Sequence, residues 1–495
     1  MKKRVLAFDL GASSGRAIMG HYDNGKLCLE ELSRFAYDPI IIDNKMHWDI
    51  ELIVTEITKA IAKVSKNYQL DSLAIDTWGV DYGLLDEHDE LIEPPVHYRD
   101  PRTNGMLATV AKLIPEDSLY QMTGNQLMEI NTLFQLMATI EQEPEKLAKA
   151  KTLLLMPDLL NFLLTGKQKT QLSIASTTQL LDPVKKCWHH QLIEKLKIPK
   201  HLFTELTVEG QLLAELKPEL NLPPIPVYHV CAHDTASAFV SGVSSKDSLF
   251  ISCGTWSLIG VERSQPVINK LANRYNLTNE SGAFGTTRLL KNITGLWIIQ
   301  ELKREFASLG RVYTYPDLET MARAAKPFGY LIDTEDPSFL LSGKMIGRIE
   351  DFLKKTKQPL PQTDGEIVRG VYESLAFKYK AVIFEIMDTV GQKFSQINMV
   401  GGGILSKLLC EMVANASGLT VHTGPVEATA LGNIAIQLYA HGCFASLQET
   451  RSWIRNLSDI KMFTPDDAPM WDAEFERYRR FTDFVGSDDY AKTNT

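Results

Sequence analysis

The sequence predicts an α/β protein built from two similar domains, and three observations support this prediction. The chain has 495 residues, which is too long for one hydrophobic core. An apolar strand, a turn rich in glycine, serine or threonine, and a second apolar strand occur twice, at residues 8–20 and 250–260. Apolar residues at helical spacing follow each hairpin, at 50–64 and 365–387. Two such halves would bring their hairpin loops together across a cleft.

The composition indicates a globular protein of the cytoplasm. Hydrophobic residues make up 44% of the chain and charged residues 23%, and no run approaches the roughly 18 apolar residues that span a membrane. A formal net charge of −9 argues against a nucleic-acid partner, which needs an excess of Lys and Arg. Asp9 interrupts the N-terminal apolar run, which argues against a signal peptide. Six scattered cysteines without a CxxC pair fit reduced thiols.

The first hairpin, at residues 5–20, has a loop suited to a polyphosphate. Its two strands are joined by Gly11-Ala-Ser-Ser-Gly15, and the N–H groups and hydroxyls of such a loop point outward together. Asp9 ends the first strand beside this loop, where its carboxylate can hold a Mg²⁺ that accompanies the phosphates, directly or through water. On this stretch alone, an ordinary hairpin is the alternative.

A second polar stretch follows the predicted strand at residues 72–76. It reads Thr77-Trp-Gly-Val-Asp81. Carboxylates accept hydrogen bonds from hydroxyls, and Gly79 lets the backbone approach a ligand. Trp78 offers a flat apolar wall. The stretch therefore predicts a place where a polyol binds.

The middle of the chain carries two further motifs about twenty residues apart. His233-Asp234-Thr235 precedes small residues that begin a helix, so Asp234 would lie beside unpaired backbone N–H groups that keep a carboxylate ionised. We therefore predict Asp234 as a base. Gly254-Thr255 interrupts an apolar strand, where backbone and hydroxyl donors can approach a phosphate. A later strand at 397–400 also ends in glycines, at 401–403.

Two halves of this kind are the pattern of the actin, hexokinase and Hsp70 superfamily, and within it the sequence resembles the FGGY carbohydrate kinases over nearly its whole length. The resemblance rests on nine motifs in one order: DLGASSGR (9–16), DTWGVD (76–81), YRDPRTNG (98–105), LLMPD (154–158), HDTASA (233–238), SCGTWSL (252–258), LKNITGLWIIQ (290–300), VGGG (400–403) and GPVEATALGN (424–433). It implies two actin-like, ribonuclease H-like domains with a central cleft. Their predicted bounds are 1–243 and 244–442, followed by an extension at 443–495 whose role the sequence does not reveal.

The resemblance also implies an activity, phosphoryl transfer from ATP to O1 of a ketose with Mg²⁺ as cofactor. The expected acceptor is L-rhamnulose, giving L-rhamnulose 1-phosphate and ADP in L-rhamnose catabolism. Asp234 is implied as the base that accepts the sugar hydroxyl proton. The implied sugar-binding residues are Gly79, His233, Asp234, Thr235 and Asn292. The implied nucleotide-binding residues are Ala12, Ser13, Ser14, Gly15, Arg16, Thr255, Gln300 and Gly402. Asn292 and Gln300 rest on the resemblance alone.

Two other functions stay open at this point. Another ketose kinase of the family, acting on L-fuculose or xylulose, differs only in its sugar pocket. A non-enzymatic chaperone or filament protein that binds ATP has no need for Asp234 beside a polar sugar pocket. For a kinase, we expect domain closure that excludes water, about a hinge near 242–247. The assembly is expected to be a monomer or a homodimer.

Overall fold

The computed structural model describes residues 1–242, 247–457 and 459–482, and it alternates strands and helices as predicted. The predicted helices at 50–64 and 365–387 are confirmed as Ile50–Ser65 and Asp364–Val390. In the described part of the chain, no helix is both long and apolar enough to cross a membrane. Residues 243–246, the centre of the predicted hinge, lie outside the described residues, as does the predicted domain boundary at 243–244.

The strands, in chain order, are β1 (Lys2–Leu10), β2 (Ser14–Asp23), β3 (Lys26–Ala36), β4 (Ile40–Ile42), β5 (Lys45–His47), β6 (Ser72–Thr77), β7 (Tyr82–Leu85), β8 (Thr152–Leu155), β9 (Thr170–Gln171), β10 (Leu181–Asp182), β11 (Cys187–Trp188), β12 (Leu206–Thr207), β13 (Leu212–Glu215), β14 (Pro226–Tyr228), β15 (Ser248–Cys253), β16 (Trp256–Arg263), β17 (Thr278–Ser281), β18 (Thr287–Thr294), β19 (Gln396–Val400), β20 (Thr420–Thr423) and β21 (Lys461–Phe463).

The helices, in chain order, are α1 (Ile50–Ser65), α2 (Met106–Ala111), α3 (Glu116–Thr123), α4 (Thr132–Gln142), α5 (Pro144–Lys149), α6 (Met156–Thr165), α7 (Leu172–Ala175), α8 (His190–Lys195), α9 (Asp234–Gly242), α10 (Lys270–Arg274), α11 (Trp297–Ser308), α12 (Tyr315–Ala324), α13 (Met345–Lys355), α14 (Asp364–Val390), α15 (Lys407–Ser417), α16 (Ala428–Ala440), α17 (Leu447–Leu457) and α18 (Ala468–Tyr478).

The chain forms two compact units, each made of three segments. The first unit comprises the described residues of 1–241, 262–289 and 428–458, and the second those of 242–261, 290–427 and 459–495. This division differs from the predicted linear one, because segments 262–289 and 428–458 pack in the first unit. The extension beyond residue 442 supplies α17 to the first unit, and β21 and α18 to the second.

The sheet of the first unit has the order β13-β14-β6-β1-β2-β3. β1 pairs antiparallel with β2, while β1 and β14 both run parallel to β6. Asp9 and Asp76 are opposite one another across β1 and β6. Because the carboxyl ends of parallel strands meet at one edge of a sheet, this edge also receives the segment after β14 that leads to Asp234.

Helix α16 covers this sheet, although it comes from the last quarter of the chain. Asn433 donates to Asp76 Oδ2 at 2.6 Å, and Gln437 donates to the carbonyl of Leu6 at 3.1 Å. A Cβ on Gly432 would lie 1.9 Å from the backbone oxygen of Ser237 on α9, so only glycine allows the two helices to approach so closely.

In the second unit, the strands run in the order β18-β16-β15-β19-β20-β21. β15 and β16 form an antiparallel hairpin, and β15 runs parallel to β19. In the first unit, β1 likewise pairs antiparallel with its hairpin partner β2 and parallel with β6. The repeat predicted from the sequence is therefore confirmed. Trp471 of α18 packs against Phe377 of α14, with ring centroids 5.1 Å apart. The tail of the chain therefore completes the core of this unit.

Candidate active site

The loop between β1 and β2 presents its backbone at the surface. Gly11 N donates to Ser14 O at 3.0 Å, which closes the loop, and Ser13 is exposed. The hydroxyl of Tyr37 donates to Gly11 O, and its N–H donates to Ser13 O at 3.3 Å. A Cβ on Gly11 would meet nothing closer than 3.7 Å, whereas one on Gly15 would lie 2.6 Å from packed side chains. The fold therefore requires glycine at 15 but not at 11.

Three carboxylates of the first unit lie close enough to interact electrostatically near this loop. Burial raises the pKa of Asp76 well above its ordinary value, and the charges of Asp9 and Asp234 raise it further. Burial also raises the pKa of Tyr37, with the same three carboxylates as the next contributors. Tyr37 therefore connects the loop to the carboxylates.

The donor set at this edge fits a hydrated Mg²⁺. Asp9 forms an ion pair with Arg16, and Oδ1 of the buried Asp76 has no hydrogen-bond partner among the described residues. A metal-bound water can donate to such an oxygen. Within the described ranges, no three His, Cys, Asp or Glu side chains group as metal ligands. Mg²⁺ does not require such a cage, because it keeps several waters and binds one or two carboxylates together with phosphate oxygens.

Asp234 is the first residue of α9, and its carboxylate is the accessible member of this group. Its side chain is 31% exposed, compared with 7% for Asp9. Oδ1 accepts hydrogen bonds from N–H and Oγ1 of Thr235, at 2.5 and 3.0 Å. Asp234 can therefore meet a substrate while local donors hold its orientation.

The segment before Asp234 is held by a buried polar pair that the sequence interpretation missed, Gln171 and Ser173. Ala232 N donates to Gln171 Oε1 at 3.2 Å, and His233 N donates to Ser173 Oγ at 3.2 Å. The signal in the sequence was the segment 170–178, which is rich in Ser, Thr and Gln, and the structure buries all of it. Buried polar groups in such a run must find partners, and here the partner is the segment that carries Asp234.

The turn at Gly79 follows β6 and lies next to the same segment, since Thr77 N donates to Ala232 O at 2.9 Å. A Cβ on Gly79 would lie 3.1 Å from the side chain of Thr177. The next residue, Val80, has φ 69°, which is unfavourable for a β-branched residue. Val80 N donates to Thr177 Oγ1 at 3.1 Å, and Val80 O accepts from Thr132 at 2.6 Å. The strained turn is therefore held by hydrogen bonds from both sides.

Asp81 and Trp78, which we predicted as groups that meet the polyol, are both buried. Asp81 is 1% exposed, and its Oδ2 accepts from the indole N–H groups of Trp48 and Trp78, at 2.6 and 3.1 Å. Its Oδ1 accepts from Gln135 at 2.8 Å. The two indole rings are tilted against each other, with centroids 4.0 Å apart. Asp81 therefore organises an aromatic cluster beneath the Gly79 turn, and binding of a polyol at this turn stays a prediction.

Acidification is expected to change tryptophan fluorescence with a midpoint near pH 6, because burial raises the pKa of Asp81 to about 6 despite its hydrogen bonds. Protonation in the folded protein weakens charge-assisted bonds to two indoles. The folded pKa lies above the ordinary value of 3.8, so the contribution of Asp81 to the unfolding free energy increases as the pH falls through 6 towards 4. In the control Asp81→Asn, the fluorescence transition near pH 6 should disappear. If this variant gave the same pH titration as the wild type, the transition would not belong to Asp81.

The remaining predicted residues belong to the second unit, at the hairpin of β15 and β16 and the start of α11. Leu296 N donates to Gly254 O at 2.8 Å, and Thr255 Oγ1 donates to Gln300 Oε1 at 3.2 Å. This contact joins Gln300, which the sequence alone did not reveal, to the hairpin loop. Asn292 lies on β18.

The glycines after β19 divide into two kinds. A Cβ on Gly403 would lie 2.1 Å from Sγ of Cys253, so packing of the second unit requires a glycine there. Gly402 is exposed, and a Cβ on it would meet nothing within 4 Å. Packing therefore does not require a glycine at 402, and the space beside it is open.

Both halves of the chain match models of one family. Residues 4–241 match the N-terminal domain of the FGGY family of carbohydrate kinases, and residues 249–441 match its C-terminal domain. The fold and the sequence together define a two-domain sugar kinase. The chain belongs to the FGGY family of carbohydrate kinases, which confirms the predicted resemblance, and it is a kinase enzyme.

Individual relatives agree with this. The chain is 40% identical to a rhamnulokinase of Oceanobacillus iheyensis over 464 residues, which cover 93% of this chain and 98% of that protein. It is 37% identical to a rhamnulokinase of Bacillus subtilis, covering 93% and 95%. The non-enzymatic alternative gains no support from these relatives.

Solved structures confirm the fold. The crystal structure of a ligand-bound xylulose kinase from Lactobacillus acidophilus matches with a TM-score of 0.78 at 17% identity, covering 99% of both chains. A glycerol kinase from Plasmodium falciparum with ADP matches with a TM-score of 0.77 at 14% identity, covering 97% of both chains.

Proposed function

We propose that the enzyme transfers the γ-phosphoryl group of ATP to O1 of L-rhamnulose, giving L-rhamnulose 1-phosphate and ADP in L-rhamnose catabolism. The proposal is supported by the relatives of the chain and by the position of Asp234. The relatives with the highest identities quoted above are rhamnulokinases. The observation that carries the chemistry is Asp234, an accessible carboxylate at a helix start whose charge acts on Tyr37, the residue bonded to the Gly11 loop.

In this proposal, Asp234 accepts the proton of the O1 hydroxyl as that oxygen attacks the phosphorus. Phosphoryl transfer depends mostly on positioning and on charge stabilisation, so one oriented carboxylate is a sufficient base. His233, Thr235 and Gly79 are the proposed ketose-binding residues of the first unit, and Asn292 is the proposed one of the second. Gln171 and Ser173 hold the segment that orients Asp234.

We assign the nucleotide to the two hairpin loops and their neighbours. In the first unit, backbone N–H groups and hydroxyls at Ala12–Arg16 bind phosphate oxygens, and the proposed nucleotide-binding residues of the second unit are Thr255, Gln300 and Gly402. Mg²⁺, when bound, supplies positive charge that offsets the charge of the phosphates. Asp9 holds it directly or through water. We place the enzyme in the cytoplasm, in accord with six cysteines that are all free thiols.

A coupled assay of ADP release tests the sugar. We expect the highest kcat/KM for L-rhamnulose among L-rhamnulose, L-fuculose, D-xylulose and glycerol. Weak activity on the other ketoses is expected, because one methyl group gives only about 1–3 kcal/mol of discrimination in an apolar pocket. A higher kcat/KM for any of the other three acceptors would refute the assignment. ADP release without an added sugar serves as the baseline.

A further inference from the structure

A buried charged cluster lies behind Asp234 in the first unit, and the mechanism above gives no role to its Arg288–Glu280 ion pair. It consists of Arg288, Glu280 and His233. Their side chains are 0%, 5% and 9% exposed. Arg288 Nη2 lies 3.0 Å from Glu280 Oε2, and His233 Nε2 lies 3.4 Å from Asp234 Oδ1. The imidazole therefore stands between the buried ion pair and the proposed base.

The ion pair is balanced in charge. Burial raises the pKa of Glu280, but Arg288, His233 and Thr278 together more than offset this, and the pKa lies below its ordinary value. Arginine stays protonated in proteins. The pair is therefore ionised and neutral overall, so Arg288 can be buried while it keeps donors free to orient the ring of His233.

The donors of Arg288 decide which nitrogen of His233 carries the proton. Arg288 Nη2 forms a hydrogen bond with His233 Nδ1 at 3.2 Å. A guanidinium can only donate, so Nδ1 accepts. Glu280 Oε2 also lies 3.2 Å from Nδ1, but it forms no aligned hydrogen bond with any described residue. The ring proton is therefore on Nε2, on the side of Asp234.

We propose that Arg288, balanced by Glu280, is a positioning residue that fixes His233 as the Nε2–H tautomer and so directs an N–H group at Oδ1 of Asp234. This inference rests on the proposed role of Asp234 as the base. Thr235 donates to the same oxygen twice. These two bonds stabilise the ionised carboxylate at Oδ1, His233 Nε2 lies 3.4 Å from the same oxygen, and Oδ2 is the oxygen that receives the sugar hydroxyl proton.

The tautomer is measured on the full chain without substrate, by two-bond ¹H–¹⁵N correlation of protein labelled at the histidine rings. The chain has 11 histidines, and His233→Gln assigns the signal of interest. We expect the proton on Nε2 in the wild type. The same spectrum of Arg288→Met/Glu280→Gln should show a mixture that includes the Nδ1–H form. The double change is used because a single one would leave a buried charge without its partner.

Kinetics on the same variants separate positioning from folding. We expect the double variant to lose about 10- to 100-fold in kcat, as is typical when an orienting partner is removed, with a much smaller change in the KM for ATP. Arg288→Lys keeps a charged donor and should recover much of the loss. The matched control is Arg369→Met/Glu373→Gln, which removes a buried ion pair of the second unit, with its atoms 2.7 Å apart, and should leave kcat and the spectrum unchanged.

Three results would overturn the proposal. One is a wild-type ring with its proton on Nδ1. Another is a double variant that keeps the Nε2–H form and a normal kcat. The third is a loss of kcat with no change of tautomer, which would make the cluster merely structural. If the double variant does not fold, the wild-type spectrum and Arg288→Lys still decide. Failure of the sugar assay would leave the tautomer measurement untouched, so the two proposals fail separately.

Discussion

Asp234→Asn is expected to lower kcat by roughly 10²–10⁴, the largest effect of any substitution considered for this chain. Asparagine keeps the size of the side chain and an oxygen that accepts from Thr235, but it cannot receive the hydroxyl proton. The KM values for sugar and ATP should change far less, because the amide still contacts a hydroxyl. Initial rates under saturating L-rhamnulose and ATP measure the effect.

Asp49→Asn is the matched control for this change. Asp49 caps α1, where its carboxylate accepts from Leu52 N at 3.0 Å, and asparagine is nearly as good a cap. Stability and kcat should both stay near the wild-type values. If Asp234→Asn behaved in the same way, Asp234 would be chiefly a helix-start residue. Asp9 and Asp81 would then be the next candidate bases to test.

Gly11→Val and Gly254→Val are each expected to raise the KM for ATP by about 10- to 100-fold, with the fold intact. Each side chain keeps phosphate away from backbone N–H groups, and losing one hydrogen bond to a charged group costs about 1.5–3 kcal/mol. The nearest atoms to a Cβ at these positions are 3.7 and 3.5 Å away, so the backbone does not have to move. Steady-state kinetics and thermal unfolding test both statements.

Substitutions at two other glycines serve as controls for this prediction. Gly347 lies on the exposed face of α13, and a Cβ on it would meet nothing within 4 Å. Gly347→Val should therefore leave the KM for ATP unchanged. Gly403→Ala places a Cβ 2.1 Å from Cys253 Sγ and should lower the midpoint of thermal unfolding. An unchanged nucleotide KM in well-folded Gly11→Val would show that this glycine serves only the turn.

Local patterns in the sequence predicted the helices and hairpins, which depend mainly on interactions between neighbouring residues. The apolar spacing at 50–64 and 365–387 predicted the helices α1 and α14, and the repeated pattern predicted the hairpins β1–β2 and β15–β16. These predictions succeed because the period of the apolar side chains distinguishes a helix from a strand. Asp234 was placed at a helix start for the same reason. The predicted roles of the site residues stay predictions until the variants are measured.

The pairings that support the proposed base could not be predicted in this way. Asn433 donates to Asp76 across 357 positions of the chain, and Arg288 reaches His233 across 55. No local period encodes such contacts. The surroundings of Asp81 could not be predicted either, because the aromatic cluster that satisfies both of its oxygens comes together only by packing.

The sequence by itself determined the class of protein, since the motifs, the two hairpins and the helical periods are properties of neighbouring residues. Only the tertiary structure decided which glycines the fold needs, which carboxylate is accessible, and what holds the base in place. The physical reason is that burial and hydrogen-bond partnership depend on packing between distant segments. The exposure and the hydrogen-bond partners of a carboxylate such as Asp76 or Asp234 are set by residues that reach it only on folding.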